Sequence, residues 1–259
     1  MMLEALTKGP AAYAPNSSWP AWAVLPAGAG ILLFAALIGA GVSALYGAAT
    51  GGHLLAPEGT DTSRPQVMLQ LAAFVAGLQV GAILLTLAAA GFSAEKRVDV
   101  LALKPPAQGW GVLPVALLPV LAATGAWTAL VLFLQPGTVY QDLRPFQELL
   151  KGDAVYLMLS VIMIGAPLSE ELLFRGFLFS GLAKSRLGLA GTAVLTTLLW
   201  TGLHAGYSAF GLIEVLGIGL YFSWLLIRTG SVWVTIFCHA VYNSIVALAL
   251  LVFTVPAPA

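Results

Sequence analysis

Residues 154–183 read AVYLMLSVIMIGAPLSEELLFRGFLFSGLA. At ~1.5 Å of rise per residue, a helix of this length spans the ~30 Å hydrocarbon core of a bilayer. Its only charged side chains are Glu170, Glu171 and Arg175. A charge at the bilayer centre costs ~3 kcal/mol on insertion scales, and more in simulation. Three of them in one apolar run call for pairing, a wet cavity or a function.

The rest of the chain is written in the same style. Its 259 residues carry 11 basic and 11 acidic side chains, where a soluble chain of this length carries roughly 65 charges. Hydrophobic residues make up 59% of the chain, and the mean hydropathy is +0.94. So few solvated groups cannot cover a soluble surface. This excludes an ordinary cytosolic enzyme and a disordered chain. It also excludes a nucleic-acid partner, which needs a basic stripe to neutralise phosphates. One cysteine, Cys238, excludes an intramolecular disulfide and a Cys-clustered zinc site.

Seven stretches are long enough to span: 21–48, 66–92, 110–135, 154–183, 187–206, 209–227 and 232–255. The fold class is therefore all-α, a polytopic membrane bundle of about seven helices, with an eighth or a re-entrant piece as the alternative. The first stretch is too long for a signal-peptide core and lacks a basic n-region, so it reads as a retained helix. Punctuation falls between the stretches, at Gly51-Gly52, Pro57-Glu58-Gly59, Lys104-Pro105-Pro106, Pro136-Gly137 and Thr229-Gly230. Trp19, Trp22, Trp110, Tyr140, Tyr156 and Trp233 stand near span ends, where amphipathic rings favour the headgroup layer or simply pack. No internal repeat or soluble domain is visible. The expectation is one membrane domain over 1–259, with scaffold helices in 1–150 and a working core in 150–255.

If the chain alternates sides, Lys8, Lys96, Arg97, Lys104, Lys184, Arg186 and Arg228 share one side, and Arg64, Arg144 and Lys151 the other. The positive-inside rule then places the N-terminus in the cytoplasm. The expected location is an integral, multi-pass protein of a bacterial cell membrane.

Glu170, Glu171, Arg175, His204, Glu214 and His239 all fall inside the last four stretches, and the first three hold no ionisable group. On a helix, Glu171 and Arg175 are four apart and can pair. Glu170 lies ~100° from Glu171 around the axis and has no such local partner. A carboxylate left free in this way suits a general base; the alternative is that both acids belong to one structural ion cluster. The fifth stretch ends in Trp200-Thr201-Gly202-Leu203-His204, and a lone histidine there is either packed or catalytic. In the seventh, His239 and Asn243 are four apart and share a helix face. An asparagine in lipid has donors and acceptors to satisfy. Cys238 faces ~100° away from His239 and reads as core.

A carboxylate and an imidazole that converge can deprotonate a water, while a second imidazole and a carboxamide can donate to a developing oxyanion. Those are the needs of amide or ester hydrolysis. Zinc is the rival use of the same side chains, since two imidazoles and a carboxylate form a catalytic ligand set. The short His-Glu-x-x-His spacing is absent, however, and zinc leaves Asn243 without a role. A non-catalytic transport or immunity protein is a further alternative, because intramembrane acids and histidines also build proton relays.

Glu170-Glu171-x-x-x-Arg175, Trp200-x-x-x-His204 and His239-x-x-x-Asn243, in this order and in membrane context, resemble the CPBP family of intramembrane proteases. This family comprises the type II CAAX prenyl endopeptidases and their bacterial relatives, also called Abi proteins. The resemblance covers about residues 150–252, and Leu101-Ala102-Leu103-Lys104-Pro105 is similar to the family's approach to its third helix. It implies a metal-independent glutamic endopeptidase, with no cofactor, acting on a membrane-anchored or lipidated peptide or protein in the bilayer. Carried over, Glu170 and His204 would activate water, and His239 and Asn243 would hold the oxyanion. Glu171 and Arg175 would brace the motif helix, with Glu171 a candidate participant. Trp200 stands where the family more often has phenylalanine.

Other residues have quieter readings. Glu214 lines a cavity or is structurally paired, and His53 is a solvated loop residue. Pro167 should loosen its helix and free backbone carbonyls near the site. Gly28-x-Gly30 and Gly39-x-Gly41 permit close helix packing. Straight helices would leave the depths of Glu170, His204 and His239 more than ~10 Å apart. Tilted helices, a bend at Pro167 and a fifth helix starting beyond Leu187 are the ways in which that gap could close.

Overall fold

A computed structural model describes residues 2–50 and 65–256; His53, Arg64 and the turn signals at Gly51-Gly52 and Pro57-Glu58-Gly59 lie outside them. The chain runs α1 (Met2–Lys8), α2 (Ala21–Thr50), α3 (Pro65–Gly91), α4 (Arg97–Val100), α5 (Val112–Leu134) and α6 (Pro136–Leu149). It continues through α7 (Val155–Leu182), α8 (Gly188–Gly202), α9 (Ala209–Thr229) and α10 (Val232–Val252). The described residues are all-helical, without strands, and six helices are long and apolar enough to cross a membrane: α2, α3, α5, α7, α9 and α10.

Two elements differ from the sequence expectation. The fifth stretch is helical only over the 15 residues Gly188–Gly202, ~22 Å at 1.5 Å per residue. Two glycines, Gly202 and Gly206, weaken the helix there. A turn follows in which Tyr207 N donates to His204 O at 2.9 Å. Ser208 then caps α9 by accepting from Gly211 N at 3.1 Å. The second difference is α6, 14 residues started by Pro136 at its first turn. Its Asp142, Arg144 and Glu148 made this stretch read as a connection, yet it packs on the bundle. Buried Gln147 fastens it to the C-terminal tail, donating to Leu250 O (3.1 Å) and Phe253 O (2.7 Å) and accepting from Val255 N (3.0 Å).

Lipid offers helices no hydrophobic reason to associate, so close backbone approach must do the work. α2 and α3 achieve it with small residues one turn apart. Gly39 sits against Phe74 O and Leu78, Gly77 against Val42 and Gly39, and Gly81 against Ala35 and Ile38. Gly28 packs on Leu178, whereas Gly30 and Gly41 meet nothing; only half of each expected glycine pair is used.

α7 departs most from ideal geometry. Val161–Gly165 and Leu172–Leu178 are π-helical, and Ala166 N bonds to Val161 O, five residues back. The wider turn rotates successive side chains differently from an α-helix, and such segments concentrate at functional sites. Gly165 faces Gln79 of α3 so closely that a Cβ there would collide with the amide oxygen.

One end of the bundle is stitched together by loop contacts. Ala12 N and Tyr13 N donate to Ile227 O, Arg228 Nε to Leu6 O and Ala107 N to Thr229 O. Ser231 Oγ donates to Lys104 O, and Lys184 Nζ to Ser17 O. Gly230 allows the turn, with φ 67° in the left-handed region. Lys8, Lys96, Arg97, Lys104, Lys184, Arg186 and Arg228 belong to these linked segments. Arg144 and Lys151 lie at the opposite end with α6.

Candidate active site

The pair expected within α7 is present. Arg175 Nη1 donates to Glu171 Oε1 at 3.1 Å, and both side chains are 0% exposed. Arg175 Nη2 also donates to Gly219 O at 3.2 Å, a carbonyl reachable because Gly219 has no side chain. The guanidinium carbon stands 4.6 Å from the Trp200 ring centroid, a cation–π contact. Glu171 Oε1 takes a second neighbour from α10, His239 Nδ1 at 3.0 Å. A carboxylate only accepts, so Nδ1 carries the proton and Nε2 is the free nitrogen. Glu171 therefore links the motif helix to α10 and orients an imidazole.

Glu170 is the half-buried neighbour, and the expectation that it has no partner needs correcting. Its own helix offers none, and the partner comes from α8: Trp200 Nε1 donates to Glu170 Oε2 at 2.5 Å. One turn on, His204 Nδ1 lies 2.9 Å from Trp200 O. A carbonyl oxygen can only accept, so His204 holds its proton on Nδ1 and presents a lone pair at Nε2. The Trp200 ring also meets both imidazoles edge-on, with centroids 4.9 Å from His204 and 5.7 Å from His239.

Asn243 is placed by Pro167. Proline has no N–H, and in a helix bonded five residues back it would have served Ile162 O. That carbonyl instead accepts from Asn243 Nδ2 at 3.0 Å. Asn243 thus closes the gap that Pro167 opens, leaving its second N–H and its oxygen uncommitted among the described residues.

Glu170, Trp200, His204, His239 and Asn243 all line one cavity of about 670 Å³. The side chains converge on this cavity despite the difference in depth that straight helices would give them. Cys238 is buried away from the cavity, as expected. Glu214 lines the cavity and accepts from Tyr242 Oη at 3.1 Å, so both quiet readings hold for it.

Sequence reasoning missed three contributors to the wall. Asp142 of α6 accepts from Ser208 N (2.8 Å) and Ser208 Oγ (2.6 Å), tying α6 to the start of α9. The Tyr207 ring lies tilted against His204, with centroids 5.6 Å apart. Burial, then the nearby Glu170 charge, pushes the Tyr207 phenol up, so it keeps its proton and can donate. Gln79 of α3 completes the lining. A signal existed for Tyr207 in its three-residue spacing from His204. None existed for Asp142 or Gln79, which are brought in by other helices. Among the described residues, no three His, Cys, Asp or Glu side chains are grouped to hold a metal ion.

The fold and this buried carboxylate–imidazole cluster define a polytopic helical membrane protein with its polar groups gathered around one hollow. Residues 152–245 match the family described as type II CAAX prenyl endopeptidase Rce1-like. A relative in Bacillus subtilis (strain 168), named "Putative membrane peptidase YdiL", is 32% identical over 96 residues. That alignment covers 37% of this chain and 38% of the relative. No solved structure matches the chain. The likeness to this peptidase family thus rests on residues 152–245, the part of the chain that holds the cluster.

Proposed function

We propose that the protein is a metal-independent intramembrane endopeptidase. In this reading it hydrolyses a peptide bond near the membrane in a membrane-anchored or lipidated peptide or protein. The observation that carries the proposal is the cavity shared by Glu170, His204, His239 and Asn243. The match to a family of prenyl endopeptidases and the likeness to a relative named as a putative membrane peptidase support it.

The chemistry follows from which atoms are free. A water between the Glu170 carboxylate and His204 Nε2 gives up a proton to one of them, and its oxygen attacks the peptide carbonyl carbon. The carbonyl π electrons move onto oxygen. Asn243 Nδ2–H and a protonated His239 Nε2–H then donate to that oxyanion. Because His239 Nδ1–H faces Glu171, donation from Nε2 requires the imidazolium form. The Tyr207 hydroxyl is a further donor on the same wall. Collapse of the intermediate breaks the C–N bond, and the amine leaves with the proton first taken from water. Arg175 and Glu171 act on geometry and charge, without touching substrate.

The proposed setting is a bacterial cell membrane with the N-terminus in the cytoplasm, supported by the linked basic end of the bundle. The decisive experiment assays purified Glu170→Ala and His204→Ala against wild type on a membrane-tethered peptide in proteoliposomes. Cleavage should be lost in both while helicity and thermal stability persist. Retained cleavage in both would end the hydrolase reading. Chelators should leave wild-type activity unchanged; loss restored by zinc would replace it with the metal route.

A further inference from the structure

Trp200 occupies a position that touches four groups of the cluster. Its indole N–H donates to Glu170 Oε2 at 2.5 Å. Its carbonyl accepts from His204 Nδ1 at 2.9 Å. Its ring packs edge-on against His239 and beneath the Arg175 guanidinium. The side chain is 3% exposed, and Gly219 gives it room, since a Cβ there would come within 3.0 Å of the ring. The indole is therefore fixed before any substrate arrives. Among the described residues, no other group hydrogen-bonds the Glu170 carboxylate.

We infer that Trp200 is a positioning residue: its N–H pins one oxygen of Glu170 while its carbonyl fixes the tautomer of His204, so that a single residue aligns both halves of the water-activating pair. The inference rests on the endopeptidase reading and adds a device to it. With Oε2 held by the indole, Oε1 is the oxygen left to face a water. With Nδ1–H held by the carbonyl, His204 Nε2 is the lone pair left to face the same water. A charge-assisted hydrogen bond to a carboxylate is about twice as strong as a neutral one, and small misplacements of a reacting group are costly to rate. A phenylalanine at this position would keep the ring contacts and the backbone carbonyl and would lose only the N–H. The substitution therefore isolates one hydrogen bond.

Trp200→Phe should fold, insert and keep the thermal stability of a packed aromatic, with KM near wild type and kcat lowered about ten- to a hundredfold. A purely structural ring predicts equal kcat for tryptophan and phenylalanine. Trp200→Leu, which also removes the ring, separates the two roles by losing stability as well. A second readout needs no turnover. In ¹⁵N-tryptophan protein in detergent, the Trp200 indole resonance, assigned by its disappearance in Trp200→Phe, should lie downfield and move upfield in Glu170→Ala. An active wild type with unchanged kcat in Trp200→Phe would overturn the positioning role alone. So would an indole resonance indifferent to Glu170→Ala. A wild type that cleaves no peptide would instead overturn the endopeptidase reading, and the indole shift would still report whether the hydrogen bond exists.

Discussion

Replacing Arg175 with methionine tests the ion cluster at the heart of α7. The guanidinium is 0% exposed, bonds Glu171 at 3.1 Å and Gly219 O at 3.2 Å, and lies 4.6 Å from the Trp200 ring and 5.7 Å from that of Phe222. Breaking a buried pair by removing one partner costs ~3–5 kcal/mol, because the survivor is left as an uncompensated charge. Glu171 keeps His239, and a methionine refills much of the apolar volume, so the expected loss is ~3 kcal/mol, at the low end of that range. At about 1.4 kcal/mol per decade, that is more than a hundredfold in the folding equilibrium. The double variant Glu171→Gln/Arg175→Met leaves no orphaned charge and should be less damaged than the sum of the singles, by ~1–3 kcal/mol of coupling. Unfolding of the purified protein in mixed micelles, titrated with SDS and followed by tryptophan fluorescence, measures all four corners of the cycle. A single-variant loss below ~1 kcal/mol would refute the account. Strict additivity would too, since it would mean the two charges do not depend on each other.

Two further outcomes follow from α7. Asn243→Ala orphans the Ile162 carbonyl that Pro167 cannot serve, and should cost ~1–3 kcal/mol in the same titration. Restoring a backbone donor by Pro167→Ala should recover part of that loss; no recovery would show that the Asn243 amide does not stand in for the missing N–H. Gly165→Ala drives a methyl into the Gln79 amide, which must swing aside, and should destabilise by ~1 kcal/mol, a loss that Gln79→Ala relieves. A loss that Gln79→Ala fails to relieve would mean that the amide is not what Gly165 makes room for.

What could be read from the sequence was whatever a single helix decides. Span positions follow from length and hydropathy, and the Glu171–Arg175 pair from a four-residue spacing, so both were legible. What needed a second helix was hidden. Nothing in the run around Glu170 announces that an indole thirty residues later will hold it. The part Asn243 plays with Ile162 depends on a π-helical turn that no periodicity reveals. The amphipathic α6 was masked by its own charges, and the early end of α8 by an apolar run that continues past Gly202 without remaining helical. The helix pair α2–α3 was half legible: the glycines were visible, but which of each pair would meet a neighbour depended on the crossing.

The truncated α8 has a consequence for the surrounding lipid. Val194, Leu198 and Leu199 on its outer face are exposed, so this face meets acyl chains over ~22 Å where the neighbouring helices offer the full ~30 Å. Lipids beside it must compress or tilt to match, at a fraction of a kcal/mol for each ångström of mismatch. The annulus is therefore thinnest next to His204, and headgroup water is brought down toward a hollow that would otherwise be dry. Acyl-chain length becomes a control on the protein: longer lipids raise the local strain, and shorter ones relieve it.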